Sequence, residues 1–351
     1  MHSSHPERLK APARRRELTL TELLQGLEQS ERSVLARAIT LVESVRPDHR
    51  DLARCLVESI LPRTGRAVRV GITGPPGVGK STLIESLGLH LVGQGHRVAV
   101  LAVDPSSRRT GGSILGDKTR MEQLSREERA YIRPSPGGAT PGGVARRSRE
   151  ALLLCEAAGF DVVIVETIGV GQSETAVAEM VDTFVLLVLP GSGDELQGVK
   201  RGVMELADLA VVTKADGDQR RLAARTRAQL LSALHLMPPA TPGWRTPVLT
   251  VSSVEGQGMG SLWKSVLEHH EHLASSALLE ERRSEQAAYW LDRALEDGLW
   301  ARFLGDHRVA PRLEALRAEV RSGRRSPEGV AEELLDLNWN APPADPSSRG
   351  T

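Results

Sequence analysis

The sequence predicts an α/β fold: a mostly parallel sheet covered by helices on both faces, with helical extensions at its N-terminal and C-terminal ends. Three observations predict it. Short apolar runs alternate with helical patterns through the middle of the chain, the signature of buried parallel strands. One of these runs leads through a glycine-rich loop directly into a helix pattern. On either side of this region apolar residues recur only at helical spacing.

Taken in order, residues 1–17 are rich in Pro, Arg and Lys and are expected to be a disordered tail. Residues 18–65 form an N-terminal helical region. Leu20, Leu23, Leu24 and Leu27, then Val34, Leu35, Ala38, Ile39 and Val42, read as two or three amphipathic helices that end at Pro62-Arg63-Thr64-Gly65. Residues 66–270 carry the sheet. Its apolar runs are Ala67–Thr73, Arg97–Val103, Asp161–Thr167, Thr183–Pro190, Leu209–Thr213 and Pro247–Ser252, and helical stretches follow Lys80, Gly143, Leu196, Gln219 and Met259. Residues 271–338 are helical again, with Leu273, Leu278, Leu279, Tyr289, Trp290, Leu291 and Leu295 among many charges. Residues 339–351 are expected to be a second disordered tail.

The 351 residues suffice for one large α/β domain with helical appendages. Forty-five Lys and Arg balance 45 Asp and Glu, which points away from nucleic acid and from a membrane surface. Only two cysteines are present, Cys55 and Cys155, with no C-x-x-C pair, so a disulfide framework or zinc site is not expected. The first residues lack the apolar core of a secretory signal, and no apolar stretch approaches the ~20 residues of a membrane span. The expected location is the cytoplasm.

Gly74-Pro75-Pro76-Gly77-Val78-Gly79-Lys80-Ser81 matches G-x-x-x-x-G-K-[ST], and Thr82 follows it. The loop lies between a strand pattern and a helix pattern, which is the context the P-loop motif requires. Its glycines let backbone N–H groups converge at a helix N-terminus, where the helix dipole favours phosphate. Lys80 adds a positive charge for the outer phosphates, and Ser81 offers a hydroxyl to Mg²⁺. The fold class is therefore that of the P-loop NTPases.

The base is read from a second motif. Thr213-Lys214-Ala215-Asp216 follows the strand Leu209–Val212 and matches [NT]-K-x-D. The Asp216 carboxylate can accept both the N1–H and the N2 amino group of guanine. Adenine offers neither, so binding it would leave a buried carboxylate unpaired. The Lys214 stem can pack along the base. Thr213 stands where Asn is more usual, which puts one side-chain hydrogen bond in question. Ser252-Ser253-Val254 ends another strand and resembles the S-A-x element whose backbone N–H meets guanine O6.

Five segments together resemble the MeaB/ArgK-type GTPases, which accompany adenosylcobalamin-dependent methylmalonyl-CoA mutase as metallochaperones. They are Gly74–Thr82, Asp104-Pro105-Ser106-Ser107, the stretch 111–121, Glu166-Thr167-Ile168-Gly169-Val170-Gly171-Gln172-Ser173-Glu174, and Gly193–Lys200. The resemblance covers roughly residues 20–275. It implies GTP and GDP as ligands, Mg²⁺, an acyl-CoA mutase as partner and a homodimer built through the C-terminal helices. It places Asp117 and Glu166 near the magnesium and Asp104 near the attacking water, and it makes the segment around Lys200 a third switch. Several oxygen donors at one point are what a hard cation requires. Gly169, in a variant of the D-x-x-G switch, can bring its N–H to the γ-phosphate. Val170 follows it where signalling GTPases carry a water-orienting Gln, so hydrolysis is expected to be slow without a partner.

Arg108, Arg109 and Lys200 are candidate charge stabilisers, weighed against an ordinary role as solvated loop cations. His269 and His272, three apart on one predicted helix, read either as metal ligands or as part of a solvated helix face. Two other functions remain open at this point. A P-loop kinase shares the fold, although the guanine motif and the lack of an acceptor lid argue against it. A nickel-insertion GTPase would carry a His- or Cys-rich segment that this chain lacks.

Overall fold

A computed structural model of the chain describes residues 16–103, 121–134, 141–167, 173–191 and 201–339. The chain divides into two compact units, Met1–Leu279 and Glu280–Thr351.

The first unit opens with α1 (Leu20–Glu28), α2 (Arg32–Glu43) and α3 (Arg50–Ile60). Thr19 and Glu22 begin α1 with a reciprocal capping box, which satisfies two backbone donors that a helix start leaves open. Leu23, Leu27, Leu35, Ala38, Ile39 and Leu56 turn inward from these helices and are buried.

Next come β1 (Val68–Thr73), α4 (Lys80–Gly93), β2 (Val98–Val103), α5 (Glu122–Arg126), β3 (Ala130–Arg133), α6 (Pro141–Ala157) and β4 (Val162–Thr167). They are followed by α7 (Ser173–Ala178), β5 (Thr183–Val188), α8 (Arg201–Glu205), β6 (Leu209–Val212), α9 (Arg220–His235), β7 (Val248–Thr250) and α10 (Met259–Ser275). The seven strands form one parallel sheet in the order β3-β2-β4-β1-β5-β6-β7. This meets the sequence expectation of an α/β P-loop fold.

The central strands are apolar over most of their length because helices cover both faces, with polar residues mainly near their ends. On one face Val70, Ile72, Ile164 and Leu187 pack with Leu83, Ile84 and Leu87 of α4 and Leu262 and Trp263 of α10. On the other, Leu186, Val188, Ala210 and Val212 meet Ala223 and Leu230 of α9. Strands β2–β4 lie on one side of β1 and β5–β7 on the other, so the loop after β1 leaves from the point where strand order reverses. That is where open α/β sheets bind ligands.

The sequence reading did not find β3. It is four residues long, with Glu127, Glu128 and Arg129 before it and Pro134 after it, too short to register as an apolar run. Pairing with β2 along the sheet edge makes it a strand.

In the second unit, α11 (Leu278–Gly305), α12 (Ala310–Arg321) and α13 (Pro327–Trp339) follow one another. Val309, Leu316, Val330 and Leu334 form a small core with Phe303 and Leu313. Among the described residues no helix is long and apolar enough to cross a membrane.

Candidate functional site

The phosphate loop, 74–79, joins β1 to α4 along the carboxyl edge of the sheet. Gly74 is required by close approach: a Cβ there would lie 2.7 Å from the Leu187 carbonyl oxygen. Gly79 takes φ +96° immediately before α4, a left-handed conformation that turns the chain into the helix. The first-turn N–H groups of α4 therefore lie beside the loop, and a helix start carries about half a positive charge. Pro75, Pro76, Gly77, Val78 and Thr82 occupy the loop and the start of α4 as the motif predicts.

Lys80 is 9% exposed and folds back over the loop, its Nζ donating to the carbonyl oxygens of Gly74 at 2.7 Å and Pro75 at 3.2 Å. Ser81 Oγ donates to Glu166 Oε1 at 3.0 Å, across 85 residues of sequence. Glu166 is 4% exposed and is the penultimate residue of β4. Two hard oxygen donors thus stand side by side at the phosphate loop, the donor chemistry a small divalent cation takes, and the pair fits the magnesium expected here. One residue further on, Thr73 Oγ1 and Thr167 Oγ1 are 2.9 Å apart.

The guanine motif is suspended between β5 and β7. Thr213 N donates to the Val188 carbonyl at 3.0 Å, and Ala215 N donates to the Val251 carbonyl at 3.0 Å. The Thr213 hydroxyl donates to the Val78 carbonyl at 2.7 Å, so the base loop is tied to the phosphate loop. Lys214 has φ +52°, uncommon outside glycine, and is exposed. Its stem runs beside the phosphate loop, with Cε 3.9 Å from where a Cβ on Gly79 would stand.

Asp216 is half-buried, and its Oδ2 accepts from Ser252 Oγ at 2.8 Å. The same Ser252 oxygen accepts from the Glu255 backbone N–H at 3.1 Å. A two-way backbone bridge between Ser252 and Gln257 closes the loop that holds Ser253 and the exposed Val254. The structure therefore brings Lys80, Ser81 and Glu166 together at one end of the site and Thr213, Lys214, Asp216 and Ser252 at the other.

Sequence reasoning missed three contacts here. It gave Ser252 a backbone role only, whereas its hydroxyl also orients Asp216. It did not find the Arg220–Glu255 ion pair at 2.6 Å, which links the start of α9 to the Ser252 loop. It passed over the pairing of Thr73 with Thr167, whose one sequence signal is a hydroxyl closing each of two largely apolar strands. Asp104, Asp117, Gly169 and Lys200 lie outside the described residues, as do Arg108, Arg109, Val170 and Gln172.

The two histidines need correction. His269 belongs to neither a metal site nor a solvated face: it is fully buried, with Nδ1 2.8 Å from Thr183 Oγ1 and Nε2 3.1 Å from Thr241 Oγ1 and 3.3 Å from Asp208 Oδ1. Thr183 and Asp208 start β5 and precede β6, so this network anchors the opposite edge of the sheet. His272 Nε2 lies 2.9 Å from the Pro242 carbonyl. Among the described residues no group of three or more His, Cys, Asp or Glu is placed to hold a metal ion.

Comparison with known proteins agrees with this site. Residues 35–308 match the family described as methylmalonyl Co-A mutase-associated GTPase MeaB. The chain is 54% identical over 318 residues to a protein of Caulobacter vibrioides named a putative GTPase, covering 91% of this chain and 97% of that one. It is 50% identical over 281 residues to GTPase ArgK of Escherichia coli, covering 80% and 85%. It is 45% identical over 323 residues to the mitochondrial methylmalonic aciduria type A homolog of Mus musculus, covering 89% and 78%. Among solved structures, one titled LAO/AO transport system kinase superposes with TM-score 0.72 at 39% identity, covering 92% of this chain and 98% of that one.

Proposed function

Because the chain belongs to the MeaB family of methylmalonyl-CoA mutase-associated GTPases, we propose that its GTP cycle controls an adenosylcobalamin-dependent acyl-CoA mutase, by gating, loading or protecting its cofactor. The observation that carries this reading is the match to a mutase-associated family over residues 35–308, which spans the whole nucleotide site. The protein is a GTPase, and each part of its site has a role in that activity.

In this reading the N–H groups of 74–79 and of the first turn of α4 receive the phosphates, and Thr82 extends that cradle. Lys80, which folds over the loop's own carbonyls, turns its ammonium to the outer phosphate oxygens when nucleotide enters. Ser81 and Glu166 hold the magnesium with Asp117. Bound there, Mg²⁺ supplies positive charge to the outer phosphate oxygens. Asp216, oriented by Ser252, accepts the two guanine donors, while Lys214 and the backbone of Ser253 and Val254 border the base. Gly169 contacts the γ-phosphate and Asp104 orients the attacking water. With Val170 after Gly169 no side chain guides that water further, so turnover is slow until a partner orders the site. Lys200 and the segment before it carry the nucleotide state to the mutase.

The second unit provides a homodimer surface. Leu291, Leu295 and Leu299 stand at i, i+4 and i+8 on α11 and are 60%, 55% and 60% exposed, a continuous apolar stripe that a second copy would cover.

The test is an affinity measurement between the purified chain and a cobalamin-dependent acyl-CoA mutase from the same cell. By linkage, a mutase that is controlled by the cycle binds the GTP-analogue and GDP states with affinities differing by about 5- to 150-fold. No binding in either state would overturn the proposal.

A further inference from the structure

We propose that Thr73 and Thr167 are a positioning pair that holds the Glu166 carboxylate against Ser81, and so sets the affinity of the site for a divalent cation. The inference rests on the reading of Ser81 and Glu166 as magnesium donors.

The two threonines are the last residues of β1 and β4. These strands pair in parallel with Ile72 opposite Glu166, so the threonines meet one step beyond the last paired residues. Their hydroxyl oxygens are 2.9 Å apart, and the residues are 2% and 0% exposed. Strand residues alternate between faces. Glu166 shares the face of Ile164, under α4, from whose first turn Ser81 reaches it. Thr167 and Thr73 lie on the opposite face. Gly71, two residues before Thr73, marks that face: a Cβ there would meet Val177, Val181 and Phe184 at 2.9–3.0 Å, beneath α7.

Packing alone does not account for two hydroxyls at this depth. Valine has nearly the same shape, and each buried hydroxyl carries a desolvation cost that its bond only offsets. What the pair adds is direction. It pins the end of β4 directly to the end of β1 one residue past the carboxylate, where the β1–β4 register ends and the two strands are held only from their outer sides, Thr167 by Val103 of β2 and Thr73 by Leu186 of β5. The carboxylate then has one orientation toward Ser81. Partners that orient a metal ligand without touching the metal strongly influence metal affinity.

The test uses the full chain loaded with a non-hydrolysable GTP analogue and Mn²⁺ as spectroscopic probe, with free Mn²⁺ read by electron paramagnetic resonance and melting temperature read in parallel. Thr167→Val leaves the Thr73 hydroxyl without its partner, so it is expected to lower the melting temperature and to weaken Mn²⁺ binding by about tenfold. Replacing both hydroxyls by isosteric methyl groups can be nearly neutral for stability. The double variant Thr73→Val/Thr167→Val is therefore expected to regain the wild-type melting temperature while Mn²⁺ binding stays weakened by about tenfold. Thr167→Ser, which keeps the hydroxyl, is expected to bind Mn²⁺ as wild type does. A purely structural pair would behave differently, recovering both stability and affinity in the double variant, and that result would overturn the proposal. Glu166→Gln and Ser81→Ala separate the two claims. If they weaken Mn²⁺ and the threonine variants do not, the positioning role alone is wrong. If they leave Mn²⁺ affinity unchanged, the magnesium reading fails and takes this inference with it.

Discussion

At Asp216 the Ser252 hydroxyl takes Oδ2, and with the Glu255 N–H behind it the serine cannot swing away. The carboxylate is thereby presented to a ligand in one orientation, and a planar pair of donors such as guanine N1–H and N2–H₂ matches it. Asp216→Asn replaces an acceptor oxygen with a donor nitrogen. GDP affinity is expected to fall about a hundredfold, roughly 3 kcal/mol, with xanthine nucleotides gaining relative to guanine. Calorimetry checks this, and an unchanged GDP affinity would remove Asp216 from base recognition. The residue types at this end of the site were legible because the motif fixes their order. What the motif did not show is the bond that Thr213 makes, its hydroxyl reaching the Val78 carbonyl of the phosphate loop at 2.7 Å across 135 residues of sequence. The tie between Thr73 and Thr167 was not legible at all. The two residues lie 94 apart in sequence, and only strand pairing brings them together.

Among elements, those with strong local patterning were readable and those made by pairing were not. The apolar runs of β1, β2, β4, β5 and β6 announce themselves, because both faces of the sheet are covered and most of their positions are apolar. Strand β3 depends on β2 for its existence, and its four residues carry too little pattern to stand out. His269 shows the same limit on a helix. Its spacing to His272 suggested metal ligands or a solvated helix face, but the side of α10 that faces Thr183 and Asp208 is set by packing, which single-helix periodicity does not resolve. The stripe on α11 is the reverse case, an apolar face with clear helical spacing that stays exposed: Leu291, Leu295 and Leu299, with Trp300 57% exposed beside them. Burying such a stripe against a second copy stabilises by about 1.5–3 kcal/mol per fully covered leucine. Leu295→Glu with Leu299→Glu is expected to turn a dimer into a monomer by sedimentation, while GDP binding is retained. A dimer that persists in the double variant would place the self-association surface elsewhere.

On the scale of the whole molecule, the sheet gathers the phosphate loop, the Ser81–Glu166 pair and the loop of Thr213–Asp216 on one edge, with hydrogen bonds running between them. Ser81 meets Glu166, Thr213 holds Val78, and Ser252 orients Asp216. A change at the phosphates therefore reaches the ends of β4 and β6 through bonds, the kind of coupling a nucleotide-dependent switch uses. Val170 follows Gly169 in the sequence where a water-orienting Gln is usual, and the function proposed above therefore has the cycle waiting on a partner. The most direct measurement is GTP hydrolysis by the purified chain, alone and with saturating cobalamin-dependent acyl-CoA mutase from the same cell. The account predicts that the mutase raises the rate at least about tenfold, and that Lys200→Ala blunts this rise more than it alters nucleotide affinity. A hydrolysis rate that the mutase leaves unchanged would contradict it.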